Sequence, residues 1–316
     1  MRRLFILTWI VALSGSVLSA QKTVFENVKI RRHRSVEKRL LADKLGKLTF
    51  DDSARKLTFK SDAGDDIQVG YDDVEKVVSE VTTHMRGGAS RALTFVEIPV
   101  GAIAASVIGG AHVDSHWLYL RYRSAGVEVP VLIEIPQATS EQIISKASAV
   151  FGDRTSVTNF PEKAADINPD DLKGLKSKQV VKVDEKNHPV PETKPDKATL
   201  VIVCPTLPAH RAGSGVDFRL FADDQVVAIN RLGTYSFAYL QPGKHQLVSQ
   251  GNNVNGFEMD LEAGRDYFFL QNTFGSGPSA TETVLSRNSP ELVSYLVEGS
   301  YFSDWKPKEE KKKNKH

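Results

Sequence analysis

The chain has 316 residues, 41% hydrophobic and 25% charged, with 41 Lys and Arg against 39 Asp and Glu for a net charge of +2. That length suits two domains, and the composition is ordinary for a soluble globular protein. The near-neutral balance argues against a dedicated nucleic-acid binder, and the single cysteine, Cys204, excludes an intramolecular disulfide and a multi-cysteine metal site.

In chain order, Arg2 and Arg3 precede the apolar run 4–13, and Leu18-Ser19-Ala20 offers small residues before Gln21. This is the form of a secretory signal peptide over 1–20, so a periplasmic or extracellular destination is expected. The apolar run is shorter than the roughly 20 residues a spanning helix needs, which favours cleavage over an uncleaved anchor. No cysteine follows it, so lipoprotein acylation has no acceptor there. Residues 21–35, with Lys29, Arg31, Arg32, His33 and Arg34, read as a basic, solvated lead-in.

The first domain is expected over 36–152. Leu48 and Phe50 alternate before Asp51–Ala54, and Leu57 and Phe59 after it, the pattern of a hairpin. Ile67, Val69 and Tyr71 predict a third strand. Val77–Thr83, His116–Tyr122 and Val127–Ile135 predict further strands, the last stopped by Pro136. A helix follows, with Thr139 as N-cap, Gln142 completing a capping box, and Ile143, Ile144, Ala147, Val150 and Phe151 on one face. Gly152 is placed to end it.

Residues 93–113 interrupt the β pattern. Within them, 99–111 carries no charge, and Gly101, Ala105 and Gly109 recur every fourth residue. Such a run suits a buried segment, a membrane-touching one exposing Ile103, Val107 and Ile108, or a Gly-rich loop. His112, Asp114 and His116 follow. In an extended strand they share a face, and two imidazoles and a carboxylate are ligand types for a divalent metal, with His84 as a candidate fourth. A polar loop-to-strand junction explains the same residues more simply.

Residues 153–197 contain Pro161, Pro169, Pro189, Pro191 and Pro195 among mixed charges, and read as a semi-extended linker, with short structure conceivable near 169–176 or 179–183. The second domain, 198–299, opens with the apolar strand 199–204. There Cys204 reads as a small buried hydrophobe rather than a reactive thiol. A hairpin turns at Asp223-Asp224-Gln225, where turn chemistry accounts for the acidic pair. Tyr235, Phe237 and Tyr239 alternate with Ser236, Ala238 and Leu240 before the turn Gln241-Pro242-Gly243-Lys244. Two more strands meet at Glu262-Ala263-Gly264-Arg265. A last strand near 281–285 leads to a helix with Ser289 as N-cap and Pro290 at its first position, whose Leu292, Val293 and Leu296 can pack on the sandwich. Residues 300–316 read as a basic tail with Tyr301, Phe302 and Trp305 at its start.

Leu240, Pro242–His245, Leu261–Gly264 and Tyr267–Phe268 carry a resemblance to a bacterial domain family of unknown function, number 2846 in its series, and more loosely to the small β-domains named after a Pro-Glu-Gly-Ala motif. The resemblance implies a small antiparallel β-sandwich and no catalytic residue. The element order of 36–151 resembles the pleckstrin-homology-like superfold, GRAM-type domains included. The expected fold is therefore mainly β: a pleckstrin-homology-like antiparallel domain with a C-terminal helix, a linker, then a small antiparallel β-sandwich with a C-terminal helix.

No phosphate-binding Gly-rich loop, Gly-x-Ser-x-Gly elbow or His-Glu-x-x-His is present in the sequence. The expected function is an exported interaction module without a cofactor, whose partner is a protein or envelope component. The two alternatives are an envelope-associated protein touching the membrane through Ile103, Val107 and Ile108, and a metal-dependent protein using His112, Asp114 and His116.

Overall fold

The computed structural model describes residues 22–31, 44–62, 66–85, 112–158, 160, 163–164, 167, 179–205, 216–274 and 282–307. The fold is mainly β, with mostly antiparallel sheets, as expected. The first unit is one sheet in the order β4-β3-β2-β1-β7-β6-β5-β8. Its strands are β1 (Lys22–Arg31), β2 (Lys44–Asp51), β3 (Lys56–Ser61), β4 (Asp66–Gly70), β5 (Val74–Met85), β6 (His112–Ser124), β7 (Val127–Ile135) and β8 (Thr155–Thr158), with α1 (Gln137–Phe151) before β8. The expected hairpin is β2–β3. Leu48 pairs with Phe59 and Phe50 with Leu57, and all four side chains are buried. Tyr71 falls just past β4 in a short turn, where its hydroxyl donates to Asp52 Oδ1 at 3.0 Å.

The lead-in at 21–35 needs correction. Lys22–Arg31 is a strand in the middle of the sheet, between β2 and β7, and buries Phe25, Val28 and Ile30. Its register shifts between Phe25 and Val28, with Asn27 at φ 59. This bulge puts an odd and then even positions on one face, so a period of two does not show in the sequence.

α1 begins at Gln137, earlier than the capping box predicts. Its N-cap, Pro136, makes no side-chain cap bond, and Thr139 lies inside the first turn, donating from Oγ1 to the Pro136 carbonyl at 3.4 Å. Ile143, Ala147 and Phe151 are buried on the sheet, and Gly152 at φ 55 ends the helix as expected.

The second unit has two sheets, β10-β19-β14-β11-β17-β18 and β13-β12-β15-β16-β9. Their strands are β9 (Lys163–Ala164), β10 (Gln179–Asp184), β11 (Ala198–Cys204), β12 (Phe218–Ala222), β13 (Gln225–Asn230), β14 (Thr234–Leu240), β15 (Gly243–Gln250), β16 (Val254–Leu261), β17 (Asp266–Phe274), β18 (Glu282–Asn288) and β19 (Tyr301–Pro307), with α2 (Pro290–Glu298) before β19. Leu200, Ile202, Leu220, Leu247, Phe257 and Phe269 from both sheets share one core. The Pro242-Gly243 turn, with Gly243 at φ 133, passes the chain from one sheet to the other rather than closing a hairpin. The hairpin at Asp223-Asp224 is β12–β13.

Three short strands of 153–197, and one of the tail, belong to the sheets. β8 pairs in parallel with β5, whereas β9 is antiparallel to β16 and β10 antiparallel to β19, itself drawn from 300–316. The two units also share a core. Val78, Trp117, Tyr119 and Leu132 of the first meet Val201, Val203, Leu270, Leu292, Val293 and Tyr295 of the second. β11 is buried along its whole length because one face lines the sandwich and the other this shared cluster.

Candidate interaction surfaces

The β5–β6 hairpin is paired from Val74↔Tyr122 to Met85↔His112. The segment 86–111 joins the strands at that end and lies outside the described residues. With it lie Ile103, Val107 and Ile108, and the Gly101, Ala105 and Gly109 row. His112, Asp114 and His116 occupy alternate positions of β6, opposite Met85, Thr83 and Val81, whereas His84 pairs with Val113, one position out of step. The side chains of His84, His112 and Asp114 are also outside the described residues. His116 is buried in β6. Among the described residues, no three His, Cys, Asp or Glu side chains stand together as metal ligands would. Cys204 is buried against Phe218 and Leu232, and burial pushes its thiol well up.

The seam between the units is organised by Glu80 of β5, 4% exposed. Its Oε1 accepts from Asn288 Nδ2 and the Ser289 backbone N–H, both at 2.9 Å, and its Oε2 from Ser289 Oγ at 2.6 Å. Ser289 Oγ also accepts from Leu292 N–H at 3.2 Å, so the expected N-cap of α2 is in place and carries the carboxylate as well. Burial raises the Glu80 carboxyl above the usual range, opposed by those three hydrogen bonds. Lys76 pairs with Glu291, Trp117 Nε1 donates to Thr82 Oγ1 at 2.8 Å, and the Tyr295 hydroxyl donates to the Arg31 carbonyl. Sequence reasoning missed Glu80. Its only local signal is a carboxylate between Val78 and Thr82 on one face of β5.

A third surface lies on the outer face of the six-stranded sheet. β10 is antiparallel to β19, β19 parallel to β14, and β14 antiparallel to β11. β10 and β11 therefore run the same way with two strands between them, and their connection must cross the sheet face. Tyr235, Phe237 and Tyr239 alternate along that face of β14, and Phe302 of β19 is opposite Tyr235. Ring centroids are 5.5 Å apart for Tyr235–Phe302, 5.6 Å for Phe237–Phe302 and 5.9 Å for Phe237–Tyr239.

The connection 185–197 forms a strap over this row, without helix or strand. Asp184 starts it by accepting from Asn187 Nδ2 at 2.7 Å, Asn187 N–H at 3.0 Å and Lys186 N–H at 2.9 Å, which together hold its carboxyl down at about 2. The His188 ring lies 4.8 Å from that of Tyr235, and its Nε2 donates to the Ser300 carbonyl at 2.7 Å. The Tyr235 hydroxyl donates to the Pro189 carbonyl at 2.8 Å, and Glu192 N–H donates to the Tyr239 hydroxyl at 3.2 Å. Lys194 Nζ sits 4.0 Å over the Tyr239 ring. A chain crossing a sheet face finds no ladder for its N–H groups, and Pro189, Pro191 and Pro195 carry none.

No known protein family matches this chain, and no curated protein is similar to it. The surfaces are what bears on its function. The strap escaped the sequence reading because its prolines are equally those of a linker. The local signal was prolines at alternate positions 189 and 191 in a chain that also holds an alternating aromatic strand.

Proposed function

We propose that this chain is an exported, non-enzymatic binding protein of the bacterial envelope, and that it presents the β5–β6 hairpin to a partner protein or to the membrane surface. The observation that supports this is the hairpin's reach. Its strands stay paired to Met85↔His112, past the part of the sheet that α1 covers, where Val81 is already 45% exposed. The hairpin so delivers 86–111, whose stretch 99–111 is uncharged and bears Ile103, Val107 and Ile108. None of the helices among the described residues is long and apolar enough to cross a membrane. The resemblance of 198–299 to the domain series numbered 2846 belongs to the same reading and brings no catalytic residue with it.

Fractionation of native host cells with an alkaline carbonate wash tests it, comparing wild type with a chain lacking 99–111 whose fold is checked by circular dichroism. Retention of wild type alone assigns the hairpin to the membrane surface. Release of both assigns it to a protein partner. Retention of both, through the N-terminal apolar run, removes the hairpin's role.

A further inference from the structure

The aromatic row under the strap has the chemistry of a peptide-binding surface. Flat ring faces stack against proline and aliphatic side chains, and hydroxyls at the row's edge reach the few backbone groups that a proline-containing segment still offers. Tyr235 meets a carbonyl, at Pro189, and Tyr239 meets an N–H, at Glu192. The two contacts lie three residues apart on the strap, about one turn of an extended proline-type helix.

The strap is held by single contacts, at His188, Pro189, Glu192, Thr193 and Lys194. It shares no strand ladder with the sheet below it. Val190, between the two hydroxyl contacts, is 81% exposed, and Glu192 and Thr193 are exposed as well. Phe237 and Phe302 remain partly exposed beneath it. Asp184 flanks the row at one end, and at the other Asp266 accepts from Thr193 Oγ1 at 2.8 Å. An acidic rim with an open ring face favours a cation a few residues beyond Pro189 and Pro191, the position Lys194 takes over Tyr239.

We infer that the row formed by Tyr235, Phe237, Tyr239 and Phe302 recognises an extended segment of another protein with prolines at alternate positions and a Lys or Arg three residues after the second, and that residues 188–195 are the chain's own occupant of that surface. A partner segment binds by lifting the strap. Its apparent affinity is reduced by the fraction of time the strap is down. The inference rests on the reading of the chain as a binding protein, but it uses a surface remote in sequence from the hairpin, and the fractionation result is indifferent to it.

The test uses the full chain and a fluorescein-labelled peptide of sequence 186–196, with fluorescence anisotropy as the readout. A loosened variant, Pro189→Gly with Pro191→Gly and Lys194→Ser, frees the row. It is expected to bind the peptide about tenfold tighter than wild type does. Adding Tyr239→Ser to the loosened chain is expected to reverse most of that gain, and a peptide with alanine at its three prolines is expected not to bind. A folded loosened variant that binds the two peptides equally overturns the inference. So does one that ignores the peptide and instead dimerises through exchanged straps in sedimentation. Should the loosened variant not fold, wild type decides. Millimolar peptide must speed hydrogen exchange at the Glu192 amide, and unchanged exchange overturns the inference.

Discussion

Three donors converge on the Glu80 carboxylate, and removing that carboxylate differs from protonating it. Glu80→Ala strands Asn288 Nδ2, the Ser289 N–H and the Ser289 hydroxyl in a buried seam. The expected loss is about 3 kcal/mol of unfolding free energy in urea. Glu80→Gln keeps an acceptor and the shape, and its loss is expected near 1 kcal/mol. The pH dependence has a definite sign. Burial raises the folded carboxyl, so the folded chain keeps this proton at pH values where the unfolded chain has lost it. The proton-linked stability is full below the unfolded carboxylate value and is lost as pH rises through the folded one. The difference between wild type and Glu80→Gln, measured by urea melts from pH 4 to 8, should shift against wild type across that window and then level off. A difference that grows in favour of wild type over the same range would sink this account.

At the scale of elements, local chemistry decided what could be read. The β2–β3 turn, the stop at Pro136, the Gly152 terminus and the Ser289-Pro290 helix start each depend on residues within a turn of one another, and each is where the sequence places it. β1 was hidden because its bulge breaks the alternation. That bulge makes a prediction of its own. Asn27 holds φ 59, a conformation asparagine and glycine tolerate and β-branched residues do not. Asn27→Ile should cost about 1–2 kcal/mol, and Asn27→Gly should stay within about 0.5 kcal/mol of wild type in thermal melts. Equal losses from both would mean that the amide side chain, not the backbone, holds the bulge. Glu80 was illegible for a different reason. Its partner Ser289 is 209 residues away, and no local pattern encodes a contact of that span. The strap combines both difficulties, since proline at 189 and 191 is read correctly as extended chain while what it lies against is set by the strand order β10-β19-β14-β11.

For the whole molecule, the question is whether two β units joined by a proline-containing stretch behave as two bodies or one. Flexible attachment is the default for domains that share little surface. Here the shared surface is apolar and central. Trp117 is buried in it, stacked by Arg31 at 4.7 Å and bonded to Thr82, and it packs in one cluster with Leu292 and Val293 of the other unit. β11, the middle of the second unit, spends a full face on that cluster. Separating the units would uncover Val78, Trp117, Tyr119 and Leu132 of the first and the α2 face of the second, so neither unit keeps its full burial alone. Calorimetry of the wild-type chain should therefore give one transition with equal calorimetric and van't Hoff enthalpies. Trp117→Ala should lose about 3–5 kcal/mol, because a large buried side chain leaves a cavity at the seam. Combined with Leu292→Ala, it should split the single transition into two, the seam no longer coupling the units. Two transitions already in wild type would show that the seam carries less free energy than its burial indicates, and that the proline-containing stretch acts as a linker after all.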